Sequence, residues 1–169
     1  MESSSHHGSN TELDKIDLSK CRPYKDFGKG FYLTTIRDQA VKMAKRVARI
    51  HGNSPYITGY DFDEEQLENL HIKHFDAPSE DWAKFVLNNR NRKFTDFSSE
   101  SCNHDSKYDL VIGPIANDDL ALLFRQFSSG LIDISILVKE MKYKKLTDQY
   151  SFHSEKALHL LKKEESERV

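Results

Sequence analysis

The stretch Asp26-Phe27-Gly28-Lys29-Gly30-Phe31-Tyr32-Leu33-Thr34-Thr35 constrains this chain more than any other, because two glycines bracket a lysine and an apolar run follows at once. Glycine opens backbone angles closed to other residues and lets a ligand approach the main chain. Phe31-Tyr32-Leu33 reads as a short buried strand whose one polar handle is the Tyr32 hydroxyl. A tight turn opening onto a tyrosine-bearing strand suits a pocket wall that stacks on a flat ligand. Glycine turns before strands are common, so the weight of this one depends on the rest of the chain.

Around it, helices and strands alternate irregularly and no internal repeat occurs. Ala40, Met43, Ala44 and Val47 recur at helical spacing, which predicts an amphipathic helix from Arg37 to His51 ended by Gly52. Tyr56 to Tyr60 and Leu70 to Phe75 read as strands, and Asp63 to Leu70 as a short acidic helix. Ser79 caps a helix running to about Arg90. The polar, aperiodic residues from Asn91 to Ser106 read as a long surface loop. Tyr108-Asp109-Leu110-Val111-Ile112 is a buried strand stopped by Gly113-Pro114, a strand-to-helix turn that could also line a cleft. Helices follow near Asp118 to Phe127 and Ile132 to Tyr143. Gln149 to His153 makes the last strand, Ser154 caps a helix through Lys162, and the charged tail from Lys162 is expected to fray. Short strands scattered among helices predict an α+β fold.

At 169 residues the chain fits one domain, residues 1–169, with 1–5 and 163–169 as flexible ends. Its formal net charge of −2 gives no global basic field for nucleic acid. The local runs Arg90-Asn91-Arg92-Lys93 and Lys142-Tyr143-Lys144-Lys145 are most simply solvated surface. No apolar run approaches the ~20 residues of a membrane span, and the start Met1-Glu2-Ser3-Ser4-Ser5 lacks the pattern of a signal peptide. With only Cys21 and Cys102, a disulfide scaffold is not expected. These features point to a cytoplasmic location and no membrane partner.

Three segments carry a family resemblance: His7-Gly8-Ser9 near the N-terminus, Gly28-Lys29-Gly30-Phe31-Tyr32-Leu33, and Gln149-Tyr150-Ser151-Phe152. Together they resemble the ADP-ribosyltransferase superfamily, in its diphtheria-toxin and poly(ADP-ribose) polymerase-like branch. More closely, the chain is similar to an uncharacterised bacterial domain family with HGS, DFGKGFYLTT and QISFHTEKAL-like segments in the same order. The resemblance runs from His7 to about Leu161. It implies a core of two small, mainly antiparallel sheets forming an NAD cleft with flanking helices. It also implies an NAD-dependent transferase acting on a macromolecular acceptor, protein or nucleic acid, in a toxin or defence setting, with a cognate antitoxin or immunity protein as partner.

Cleaving the nicotinamide–ribose bond of NAD passes through an oxocarbenium-like sugar, so such an enzyme must hold nicotinamide and support positive charge. The resemblance assigns His7 to the adenine-side ribose, the Gly8 backbone to the carboxamide and Tyr32 to the nicotinamide slot. Cofactor contacts are expected from His7, Gly8, Ser9, Gly30, Tyr32, Ala40 and Met43, and catalytic roles from His7, Tyr32, Gln149 and Glu155, with no metal. The chain departs from the family pattern at Gln149, where a glutamate is usual. An amide can hydrogen-bond a ribose hydroxyl but carries no charge and is no base. This favours slow mono-transfer, NAD hydrolysis or loss of activity over chain elongation. Glu155 is the nearest carboxylate on that segment, although in the following helix. Met43 stands where relatives place a stacking aromatic, and can pack softly on a ring. The polar Ser3-Ser4-Ser5 run stands where a buried strand normally precedes the first motif.

Other readings remain beside these. His6-His7 could belong to a disordered tail. His71-Ile72-Lys73-His74 invites a metal site but lacks further ligands in a recognisable spacing, so a partly exposed strand is the better reading. Asp61, Asp63, Glu64 and Glu65 read as a helix start favoured by the dipole, and Trp82, Phe85 and Val86 as core. Lys29 could touch a phosphate or simply be solvated, and His153 and His159 have no evident partner. Three functions stay open: an NAD-dependent mono-ADP-ribosyltransferase or NAD glycohydrolase; a catalytically silent domain binding NAD, ADP-ribose or a partner protein; and an unrelated hydrolase or nucleic-acid-binding fold.

Overall fold

A single sheet of seven strands, in the order β4-β5-β6-β2-β1-β3-β7, organises the described residues. The computed structural model describes residues 2–114, 121–141 and 148–169. In chain order these form β1 (Glu2–Ser9), β2 (Phe31–Thr34), α1 (Arg37–His51), β3 (Tyr56–Asp63), β4 (Ile72–His74), α2 (Glu80–Arg90), β5 (Leu110–Pro114), α3 (Ala121–Ser128), α4 (Ile134–Met141), β6 (Asp148–Phe152), α5 (Glu155–Leu158) and β7 (Lys162–Arg168). All strand pairs are antiparallel except β4 with β5. The fold is α+β.

The sheet is continuous but pinched. β1 pairs with β3 along its whole length, from Glu2↔Asp63 to Ser9↔Tyr56, yet meets β2 at one position, His6↔Thr34. The two expected sheets are therefore lobes of one sheet, β4-β5-β6-β2 and β1-β3-β7, hinged on a single bridge.

Side-chain alternation sorts the sheet into two faces. On one, Tyr32 and Val111 pack with Phe27, Trp82, Phe85, Phe124, Leu137 and Met141 from the glycine turn, α2, α3 and α4. α1 covers the same face of the other lobe, where Ala40 and Ala44 lie against Ile57. On the opposite face, Phe31, Leu33, Tyr60, Phe62, Leu110 and Phe152 join Ala157 and Leu158 of α5 in a second core. α1 spans the residues its periodicity indicated and ends on Gly52 at φ +87°. The Ser79 hydroxyl caps α2 by accepting from Trp82 N, and the acidic stretch forms a 3-10 turn, Glu64–Asn69, capped by Asp63.

Several expectations need correction. The polar N-terminal run is an interior strand, since the backbone ladder to β3 satisfies it whatever its side chains. Ser5 is fully buried there. The helix after Ser154 stops at Leu158, and the charged tail does not fray. It forms β7, an edge strand on β3, where a run of charged residues is tolerated because the strand is exposed. The Thr58–Ser166 hydroxyl bond (2.8 Å) and the Arg37–Glu167 ion pair (3.1 Å) fasten it. The first residues of the helix expected near Asp118, the end of the one expected to reach Tyr143, the Lys142–Lys145 run and the turn after Pro114 lie outside the described residues. Among the described residues, no helix is long and apolar enough to cross a membrane.

Candidate functional site

The glycine turn is a hub tied down at every residue. Asp26 is gripped by Arg90, with Nε 2.7 Å and a terminal nitrogen 2.5 Å from one carboxylate oxygen. Its carbonyl accepts from the Asn89 side chain (3.0 Å). Phe27 is fully buried. Gly28 lies at φ +94°, and a side chain there would point at the Asn103 carbonyl 2.9 Å away, so only glycine fits without strain. Asn103, itself fully buried, accepts from Tyr108 N (3.0 Å), donates its side-chain amide to the Phe27 carbonyl (3.3 Å) and donates its backbone N–H to Asn89 Oδ1 (2.7 Å). The Tyr32 hydroxyl closes the turn: it donates to the Gly28 carbonyl (2.5 Å) and accepts from Phe27 N (3.0 Å).

His153 braces the turn from β6. Its Nδ1 lies 2.8 Å from the Lys29 carbonyl, which can only accept, so Nδ1 carries the proton and Nε2 accepts from the Ser151 hydroxyl at 2.7 Å. A side chain on Gly30 would collide with this imidazole. Burial lowers the His153 pKa to about 4 against the Lys29 bond and the Asp109 charge, so the ring is neutral at pH 7.

Beyond the His6↔Thr34 bridge, β1 and β2 separate, and His7-Gly8-Ser9 faces Phe31-Tyr32-Leu33 with no ladder between them. One side chain crosses the opening. His7 Nδ1 donates to the Tyr32 carbonyl (2.8 Å), and its ring stacks on Phe31 at 4.2 Å between centroids. Nε2 is left as an acceptor. Burial lowers the His7 pKa to about 4, opposed by the Tyr32 bond and aided by the Lys25 charge. Burial, and then the Asp26 charge, raises the Tyr32 phenol well above its usual range, so it stays protonated.

Gln149 flanks this opening on the far side of β2, registered with Thr34 and, across β6, with Gly113. Thr34 Oγ1 in turn donates to Gln39 of α1 (2.9 Å). Gln149 is 8% exposed, and among the described residues its amide has no hydrogen-bond partner. Among them, Ser5 Oγ is the one side-chain polar atom both sealed from solvent and unpartnered.

The structure thus brings His7, Tyr32 and Gln149 onto adjacent strands, but with different outlooks. Tyr32 and Gln149 share a sheet face, whereas His7 projects from the other and reaches Tyr32 through its main chain. Tyr32 is not a bare wall: the Lys25 ammonium covers its ring at 4.3 Å from the centroid, and His153 meets it edge-on at 6.1 Å. Gly8 and Ala40 touch each other, since a side chain on Gly8 would run into the Ala40 carbonyl and the Ala44 N–H. Ala40 is buried in that contact. The Ser9 hydroxyl donates to the Thr11 carbonyl (2.6 Å). Met43 is 44% exposed on the outer side of α1. Glu155 stands exposed at the start of α5, with no bond to His7, Tyr32 or Gln149 among the described residues. His71 Nδ1 lies 2.7 Å from the Lys107 carbonyl, and His74 lies 3.6 Å from Asp76. Because the Lys107 carbonyl can only accept, His71 Nδ1 is the donor.

Lys25, Asn103 and His153 were not legible as parts of this site. Asn103 sits in an aperiodic loop, and Lys25 precedes the motif without a pattern of its own. His153 had one usable signal, its place directly after the Gln149 strand.

A family described as "Protein of unknown function (DUF3990)" matches residues 4–163, and the chain belongs to that family. No curated protein matches it.

Proposed function

We propose that this member of the DUF3990 family is an NAD-dependent mono-ADP-ribosyltransferase whose substrate lies in the opening between β1 and β2. The observation that carries the reading is the His7–Tyr32 bond across that opening, which leaves a neutral imidazole acceptor beside an aromatic strand. His7 Nε2 accepts a ribose hydroxyl, and the backbone around Gly8, paired with β3 but not with β2, is available to the carboxamide. The nicotinamide lies on the Tyr32 ring. The buried Gln149 amide, without a hydrogen-bond partner among the described residues, fits the nicotinamide-ribose hydroxyl, its carbonyl oxygen directed at the developing oxocarbenium charge. The C1′–N bond breaks, neutral nicotinamide leaves with the bonding pair, and the acceptor's nucleophile adds to C1′ and loses its proton. A neutral amide supports the cation less than a carboxylate would, so turnover is slow, and water as acceptor gives NAD hydrolysis. The macromolecular acceptor, an immunity-type partner and a cytoplasmic setting belong to this reading by analogy alone.

A second reading is favoured by two observations, the uncharged Gln149 and the Lys25 ammonium over Tyr32: a domain that holds NAD or ADP-ribose without turnover. The test incubates the protein with labelled NAD and follows nicotinamide release and label transfer to lysate protein, DNA and RNA. Release that falls at least tenfold in Tyr32→Ala and Gln149→Ala and rises in Gln149→Glu supports the first reading. Tight binding with no release leaves the second, and no binding by the folded protein removes both.

A further inference from the structure

Lys25 is a half-buried ammonium with no carboxylate on it among the described residues. Burial lowers its pKa, partly countered by the neighbouring Asp26 charge. Asp26, however, is already held by Arg90 through two contacts. Among the described residues, Lys25 forms no hydrogen bond or ion pair, and its one close partner is the Tyr32 ring face, 4.3 Å away. Its charge also reaches the His7 imidazole and the Cys21 thiol. Even a half-buried cation gains from an anion, and such groups gather where an anionic ligand completes them. Arg22 and Lys29 add positive charge around the same thiol and ammonium.

We infer that Lys25 is the diphosphate anchor of this site, exchanging its place on the Tyr32 ring for the anionic bridge of a nucleotide ligand. The inference rests on the proposed reading for the identity of that ligand, not for the anion itself. The exchange balances charge. A cationic pyridinium replaces the ammonium on the ring face, where either is held by the same quadrupole attraction. The displaced ammonium, on a flexible four-carbon stem, meets the diphosphate one ribose away. Lys25 thereby selects a nucleotide diphosphate over free nicotinamide, which offers it nothing.

The experiment titrates the full chain with inorganic diphosphate, ADP-ribose, NAD and nicotinamide by calorimetry at low salt. The proteins are the native chain, Lys25→Met, which keeps the stem, and Lys25→Arg, which keeps the charge; circular dichroism confirms folding. Diphosphate and ADP-ribose affinities should fall by about tenfold or more in Lys25→Met, as for loss of a hydrogen bond to a charged group. They should recover largely in Lys25→Arg, and nicotinamide binding should not weaken in either. Diphosphate and ADP-ribose binding unchanged in Lys25→Met, or absent from the native chain, overturns the inference. NAD binding that needs Tyr32 but not Lys25 refutes it while leaving the proposed function intact. Diphosphate held through Lys25 without any NAD binding supports it and removes that function.

Discussion

Removing one oxygen from Tyr32 separates its structural duty from any contact with a ligand. Tyr32→Phe keeps the ring, its packing on Phe27 and its place under Lys25. It deletes the hydroxyl that donates to the Gly28 carbonyl and accepts from Phe27 N. Phe27 and Gly28 are buried, so the freed N–H and carbonyl find no water. An unsatisfied buried donor costs about 1–3 kcal/mol, and a carbonyl with a second lone pair somewhat less. Together they come to about 3 kcal/mol. For a domain of this size each kcal/mol lowers Tm by roughly 2–4 °C, which predicts a fall of about 6–12 °C. The assay is thermal unfolding followed by circular dichroism at pH 7.5, with NAD binding measured well below Tm. Binding should persist in Tyr32→Phe and vanish in Tyr32→Ala, because stacking needs the ring and not the oxygen. A Tm within 2 °C of the native value would refute the account of the glycine turn as a hydrogen-bonded hub.

Acid should loosen the fold through two histidines. His7 and His153 have folded pKa values of about 4, below the unfolded value near 6.5. Their neutral forms thus contribute full stability above pH ~6.5, and that contribution drains away as pH falls toward 4, by up to about 3 kcal/mol for each ring. Tm profiles from pH 8 to 4 should show the loss, and His153→Gln should flatten it; an unchanged slope in that variant removes His153 from the explanation. Gly8→Ala forces a methyl group against the Ala40 carbonyl and the Ala44 N–H. Both are backbone atoms of α1 and cannot rotate aside, so a cost of about 1–3 kcal/mol is expected by chemical denaturation, with Gly52→Ala as a control where only the backbone angle matters and no neighbour lies within 4 Å.

Local rules reach a long way in this protein where one segment's chemistry suffices. α1 declares itself through Ala40 and Ala44 at helical spacing, and Ser79 announces the start of α2 because a cap is a contact between residues three apart. β2 and β6 were legible for the same reason, as short apolar or aromatic runs beside turn residues. β1 and β7 were not, since Ser3-Ser4-Ser5 and Lys162–Arg168 have no apolar alternation and become strands only because β3 offers a backbone partner on each side.

The same division holds at the site. The residue types of His7, Tyr32 and Gln149, and the need for glycine at 28 and 30, follow from the amino-acid order and from what each side chain can do. Their arrangement does not. The opening between β1 and β2 depends on two strands diverging after one bridge, and the cover over Tyr32 depends on where Lys25 comes to rest. The neutral state of His7 and His153 depends on burial against carbonyls 25 and 124 residues away along the chain. Contacts of that separation are set by how the whole sheet closes, because no local propensity acts over such a distance.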